Sequence, residues 1–280
     1  MQQQSSSRPL ALAAPLVAAL TSAPWLAPTP ALADEPDSTS SRGGIDGFIA
    51  AGVAAVPDFE GSSNYEPVPL IVGQIDTLGL RFELEGLVAR VNFRPDSALQ
   101  LGPIIAFRPG RDDVQNDVVD RLADVDGAVE VGGFVRYEFT DLFHPSDGLE
   151  LGVQVAADVA DGHDGLTVTA GTGYARSFGD RWRLGVDAEV TWASDNYMQS
   201  FFSIDAADAA ASGLARFQAD SGVKDIGAGV TAIYSFSDRW GVLGRIGYTR
   251  LLGDAADSPI VDVEGTPNQV FGGLAVSYRF

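Results

Sequence analysis

The sequence has 280 residues, 18 Lys+Arg against 38 Asp+Glu, a mean hydropathy of +0.07, 32 Gly and no Cys. Such acidity argues against nucleic acid, whose phosphates are bound by basic patches, and the missing cysteines exclude disulfides and thiolate chemistry. No run of about 18 strongly apolar residues follows the N-terminus, so membrane-spanning helices are not expected.

The first 33 residues read as a cleaved signal peptide. Arg8 supplies the positive start, LALAAPLVAAL (10–20) the apolar stretch, and Ala31-Leu32-Ala33 a small-residue cleavage site before Asp34. Residues 34–45, beginning DEPDSTSSRGG, are expected to form a polar, flexible periplasmic linker.

From residue 46 onward, period-two alternation predicts twelve strands. They fall at 46–56, 67–75, 77–85, 87–94, 98–108, 127–140, 148–160, 164–178, 181–193, 224–236, 239–252 and 268–280. The stretch RWRLGVDAEVTW (181–192) shows the pattern best. One parity gives Trp, Leu, Val, Ala, Val, Trp; the other gives Arg, Arg, Gly, Asp, Glu, Thr. Soluble sandwiches alternate too, but two details favour a transmembrane barrel. Aromatics gather at strand ends, as interfacial girdles do. Trp182 and Trp192 lie roughly 33 Å apart along an extended strand, or about 25 Å of bilayer once tilted by about 40°. The opposite face is too polar and glycine-rich for a second packed core, and suits a watery lumen. The expected girdle comprises Trp182, Trp192, Trp240, Tyr248, Tyr278 and Phe280.

The fold class is therefore all-β, an antiparallel up-and-down barrel of about twelve strands in the outer membrane of a Gram-negative bacterium. With both termini periplasmic, the long connections 57–66, 109–126, 194–223 and 253–267 lie outside, and turns such as FGDRW and FSDRW lie inside. A tight connection near Gly86 is the exception.

Little catalytic chemistry is visible. His144 and His163 sit on opposite ends of the barrel as solvated loop residues, and no nucleophile elbow accompanies His163 with Asp161 and Asp164. The run RDDVQNDVVDRLADVD (111–126) carries six Asp and two Arg. It reads as a solvated outer loop with a short helical turn; carboxylates of this kind also suit a divalent cation, but the EF-hand spacing is absent. No catalytic residue, cofactor or dedicated metal site is assigned. By parity Arg81, Glu83, Glu85, Glu130, Arg136, Glu138, Arg183, Asp187, Glu189 and Arg245 face the lumen, as a charged solute path or as salt bridges that plug it.

Six stretches in order resemble the MipA/OmpV family of outer-membrane proteins. They are PDFEGSSNYEPVPL (57–70), GPIIAFRPGRDD (102–113), EVGGFVRY (130–137), YMQSFFSI (197–204), SGLARFQADSGVKDIGAGV (212–230) and LLGDAADSPIV (251–261). Phe202 departs from the family's more frequent Tyr. The terminal SYRF, with Phe280 last, resembles the signal read by the barrel-assembly machinery. The apolar outer face implies contact with outer-membrane lipid and lipopolysaccharide, and the resemblance implies no catalytic residues. For one branch it implies a scaffold joining a murein lytic transglycosylase to a peptidoglycan synthase. Other members look like osmotic-response or adhesion proteins, so a charged solute channel and an outer-loop adhesin stand as alternatives.

Overall fold

The computed structural model describes residues 45–280; the expected signal peptide and the linker up to residue 44 lie outside the described residues. Twelve antiparallel strands close into one barrel, with each strand beside its sequence neighbours and β1 beside β12. They are β1 Asp46–Pro57, β2 Tyr65–Thr77, β3 Leu80–Glu85, β4 Val88–Asn92, β5 Leu99–Arg108, β6 Ala128–Thr140, β7 Asp147–Asp158, β8 Leu166–Phe178, β9 Trp182–Ala193, β10 Gly222–Ser235, β11 Trp240–Leu251 and β12 Asn268–Arg279. All twelve expected strands are present, with ends shifted by a few residues.

Alternation places the two parities of β9 on opposite sides of the wall. Trp182, Leu184, Val186, Val190 and Trp192 are exposed on the outside, while Gly185, Asp187, Glu189 and Thr191 are buried inside. The outer surface repeats this apolar pattern with Val131 and Val135 on β6, Ile226 and Val230 on β10, and Ile246 on β11. An apolar belt around a closed barrel fits a bilayer, because closure leaves no unpaired strand edge in hydrocarbon. At the turn end, Trp182 meets Tyr234 and Trp240 meets Tyr278 across paired strands, with ring centroids 4.7 and 4.8 Å apart.

The wall is uneven in height. A strand of twelve residues tilted by about 40° rises about 30 Å, whereas the six residues of β3 rise only about 15 Å. β2 pairs with β3 from Val72 to Thr77, so Tyr65 to Ile71 have no neighbouring strand on that side among the described residues. The Ile71 carbonyl accepts from the Gly86 amide at 2.9 Å, which shows which way odd-numbered residues of β2 aim their backbone. Pro67 and Pro69 share that direction and have no N–H to leave bare. Above them the 109–126 connection closes the gap. Gln115 donates from its backbone N–H to Asp58 at 2.8 Å and from its side chain to the Tyr65 carbonyl at 3.4 Å. The tight connection at Gly86 and the long one after β5 are thus complementary.

The interior is less uniformly polar than its sequence parity suggests. Ala50, Ala54 and Val56 of β1, Val68 and Leu70 of β2, and Phe271 and Ala275 of β12 form an apolar cluster on the inner face. Their strands were expected to line water. Instead they back the thin part of the wall, where side-chain packing replaces strand pairing.

The facing of β9 carries a direct prediction. Val186 is 50% exposed on the strand and Val263 is 64% exposed in a loop. Val186→Arg should lower folding stability in lipid vesicles by about 2–4 kcal/mol, the cost of a basic residue at a lipid-facing midplane, and Val263→Arg should be near neutral. Denaturant titration of both variants checks this; equal losses contradict the belt.

Candidate functional site

The lumen is crossed by paired charges. Arg136 of β6 reaches Glu83 of β3 with both terminal nitrogens, donates from Nε to Gln100 at 2.8 Å, and lies 3.6 Å from Glu150. Gln100 in turn accepts from Asn92 at 2.7 Å and donates to Glu138 at 3.0 Å. Arg245 of β11 grips Asp187 of β9 through two bonds of 2.9 Å and donates to Thr231. Arg81 pairs with Asp76 at 2.7 Å, and Arg90 with Glu85 at 3.6 Å. Arg183, nearer the turn end, donates to Ser177 at 3.5 Å. Glu130 receives Arg108 through bonds of 2.6 and 3.1 Å. Glu189 is buried beside this network, and neither carboxylate oxygen has a hydrogen-bond partner among the described residues. The charged inward residues are therefore held chiefly in strand-to-strand pairs.

The girdle residues lie on the outer surface. Trp182, Trp192, Trp240, Tyr248 and Phe280 are exposed, and Tyr278 is half-buried against Trp240. Phe280 also closes the seam between the termini, exchanging backbone hydrogen bonds with Gly47 at 3.1 and 3.3 Å.

A folded cap covers the loop end. It contains α1 Asp195–Phe202, α2 Ala206–Ser212, α3 Gly253–Asp257, α4 Pro259–Asp262 and a 3-10 turn at Val119–Arg121. Tyr197, Met198, Phe201 and Phe202 of α1 pack with Val125, Ala193, Leu251, Ala255 and Val261, so three loop connections share one apolar core. Phe59, Val119, Leu122, Ile204, Leu214 and Ile260 form a second. Local signals explain the helices. Asp205 caps α2 by accepting from Ala207 and Asp208, and Gly213 ends it at φ +83°. Ser258 caps α4 ahead of Pro259, and its hydroxyl donates to the Phe202 carbonyl at 2.7 Å.

Two loop expectations need correction. His163 is 3% exposed, not solvated. Its Nδ1 accepts from the Gly165 amide at 3.0 Å, which leaves Nε2–H to face Glu130 at 3.0 Å. Asp161 and Asp164 do not join it; the His163 and Asp164 amides both donate to Asp158. The 111–126 run has the expected helical turn, but Val119, Leu122 and Val125 are buried and Arg111 donates to the Phe201 carbonyl at 2.7 Å. Burial pushes Arg111 down to about 10 against the pull of Asp208 and Asp124. Among the described residues no group of three or more His, Asp or Glu side chains is placed to hold a metal ion.

Where cap meets barrel, Glu60 of the β1–β2 loop pairs with Lys224 and accepts from the Tyr197 hydroxyl at 2.8 Å. The Arg108 guanidinium and the Lys224 ammonium stand 5.0 and 5.5 Å from the Tyr197 ring centroid. Burial pushes the Tyr197 hydroxyl up. Burial would also raise Glu60, but Lys224 and Arg108 outweigh it and hold the carboxyl below the usual range. Parity alone misplaces Lys224, the only lysine in the sequence. Counting by twos from outward Ile226 sends Lys224 outward, but the β9–β10 register shifts between Val223 and Asp225, and this bulge turns both Lys224 and Asp225 inward.

The paired charges and the cap each make a prediction. Arg136→Met should cost about 3–5 kcal/mol by stranding Glu83, and adding Glu83→Leu should recover most of it; unfolding titrations of the single and double variants check this. Glu60 has a depressed folded value, so its contribution is full above the ordinary carboxylate range and is lost as pH falls through the lower folded value. Hydrogen exchange of the 194–223 segment should accelerate in acid, and Glu60→Gln should flatten that pH dependence.

Cavities lie at both ends of the lumen. One of about 300 Å³ opens at the turn end, lined by Asp46, Gln74, Asp76, Arg181, Arg183 and Arg279 among others. A second of about 70 Å³ lies under the cap and shares no lining residue with the first.

Comparison with known proteins places this geometry in a family. The "MltA-interacting protein" of Escherichia coli K12 is 26% identical over 151 residues, covering 52% of this chain and 54% of that protein; the protein of the same name from Shigella flexneri matches equally. The aligned stretch thus spans about half the length of these curated relatives. Among solved structures, an outer membrane channel from Pseudomonas putida F1 superposes with a TM-score of 0.44 at 14% identity, over 89% of this chain and 100% of that one. The translocator domain of the autotransporter NalP from Neisseria meningitidis gives 0.40 at 12%, over 87% and 91%. The family model described as "MltA-interacting protein MipA" matches residues 49–280. The chain belongs to the MipA family.

Proposed function

We propose that the chain is a non-enzymatic outer-membrane barrel that serves as a scaffold, holding a murein lytic transglycosylase, and through it a peptidoglycan synthase, at the periplasmic face. One observation carries this reading: the two ends of the barrel are built for different purposes. The loop end carries apolar cores of its own, and the turn end keeps a cavity of about 300 Å³ beside the paired ends of β1 and β12. Long loops outside and short turns in the periplasm would aim that cavity at the cell wall. Its surroundings include side chains a partner can bury. Leu78 of the β2–β3 turn is 91% exposed and Phe143 of the β6–β7 turn 76%. Family membership supports the choice of partner, since the relatives are named for interaction with MltA.

The alternatives draw less support. A solute channel needs a continuous path, whereas ion pairs from Arg136 and Arg245 bridge the strands between the two cavities. An outer-loop adhesin needs free loops, and the 194–223 segment spends its aromatic residues on the cap core.

The test is binding of a purified murein lytic transglycosylase to the barrel in nanodiscs. Wild type should bind, Leu78→Glu with Phe143→Glu should weaken binding at least about tenfold, the scale of losing apolar anchors, and Val263→Arg at the loop end should leave it unchanged. No binding by wild type, or equal binding by the turn variant, overturns the reading.

A further inference from the structure

The 159–165 loop joins β7 to β8 and is knit to the cap helix α1. Asn196 donates to the Asp164 carbonyl at 2.9 Å, and Ser200 to the His163 carbonyl at 3.5 Å. Just before α1, the Ser194 hydroxyl accepts from the Leu166 amide at 2.9 Å. The contact is closest at buried Gly165, where a Cβ would stand 2.6 Å from the Tyr197 nitrogen and 2.7 Å from the Tyr197 Cβ. Backbone lies on backbone here, so a displacement of Gly165 is passed to α1.

His163 holds this loop in place. Its side chain is wholly buried, with the ring 5.0 Å from Tyr197 and 5.7 Å from Phe201. The two ring nitrogens do opposite things: Nδ1 accepts from the Gly165 amide, and Nε2–H faces Glu130. Only a neutral imidazole can do both, because a protonated ring has two donors and no acceptor. On protonation the Glu130 contact survives and strengthens, whereas Nδ1 turns an N–H against the N–H of Gly165. The charges around the ring sharpen this asymmetry. Glu130 is itself paired with Arg108, and Asp158 accepts from the His163 amide at 2.7 Å. Asp161 and Asp164 are exposed on the same loop. From α1 come the Tyr197 hydroxyl, bound to Glu60 beside Lys224, and Phe201, whose carbonyl holds Arg111; Asp195 is turned to Ser221. Glu130 thus favours a proton on the ring, and the cost of taking it up falls on the loop.

We propose that His163 is an acid-operated latch of the cap. Its protonation breaks the Gly165 bond and frees the 159–165 loop and α1 from each other, while the strands below stay closed. Imidazole is the side chain that ordinarily changes charge between about pH 5 and 8, so the latch answers to mild acid. It acts at the loop end and is independent of the docking role assigned to the turn end.

The experiment is hydrogen exchange of the detergent-solubilised barrel, read by mass spectrometry between about pH 8 and pH 5. His163→Gln, measured at each pH, cancels the intrinsic pH dependence of exchange. Wild-type peptides covering 159–166 and 195–202 should lose protection together as pH falls, by at least about fivefold against the variant, the scale of one lost hydrogen bond. Peptides from β9 should show no such step. His144→Gln, which removes the other histidine, should keep the step, and so should Glu60→Gln, whose effect lies in the carboxylate range. Should His163→Gln fail to fold, the wild-type 159–166 and 195–202 peptides are compared with those of β9 in the same digest. No step in wild type, a step shared by β9, a step lost in His144→Gln or Glu60→Gln, or a step retained in His163→Gln overturns the proposal.

Discussion

Backbone that faces hydrocarbon has no water to bond, so every exposed N–H and C=O must find a partner in the chain. Much of this architecture follows from that constraint. It forces β1 onto β12 and seals the seam at Gly47 and Phe280. It also explains how the protein tolerates a short β3–β4 hairpin. Where β2 loses its neighbour, prolines remove two donors, Gln115 takes up the Tyr65 carbonyl, and an apolar cluster packs behind the gap. The same sheet that meets lipid on one side has to meet something else on the other. Side-chain alternation then divides the sequence into two chemistries, one for each face.

The inner chemistry is dominated by charge, and its cost shapes the rest. Carboxylates and guanidiniums inside a narrow barrel are only partly hydrated, and a broken pair leaves a stranded ion. Most are therefore matched across strands, as Arg136 is with Glu83 and Arg245 with Asp187. These bonds tie distant strands together and narrow the lumen. The cap extends the same logic upward. Glu60, Lys224, Tyr197 and Arg108 interlock where helix, loop and wall meet, beneath an apolar core drawn from three connections. One end of the barrel thereby carries a folded cap, and the other keeps a cavity of about 300 Å³.

The barrel was legible because β-strand alternation is a local signal. Trp182 to Trp192 shows one lipid-facing parity without interruption, and each of the twelve strands carries a version of it. The exceptions share one cause: they depend on contacts far apart in the sequence. His163 looks like a loop residue until Glu130, 33 positions away, is folded beneath it. Val119 and Leu122 lie in an acidic run, and only the return of Ile204 and Ile260 makes them core. Lys224 defeats parity through a single-residue bulge. The apolar inner strip of β1, β2 and β12, with Ala50, Ala54 and Val56, was not anticipated, because its purpose depends on the missing height of β3 and β4.

A barrel capped at one end and crossed by ion pairs should not conduct. The measurement that tests this account most directly is ion current through the purified protein reconstituted in a planar bilayer, with insertion verified independently. The account predicts no sustained current steps at moderate voltage while the cap is folded. Stable, ohmic openings of the wild-type barrel would contradict it and return the charged lumen to the role of a solute path.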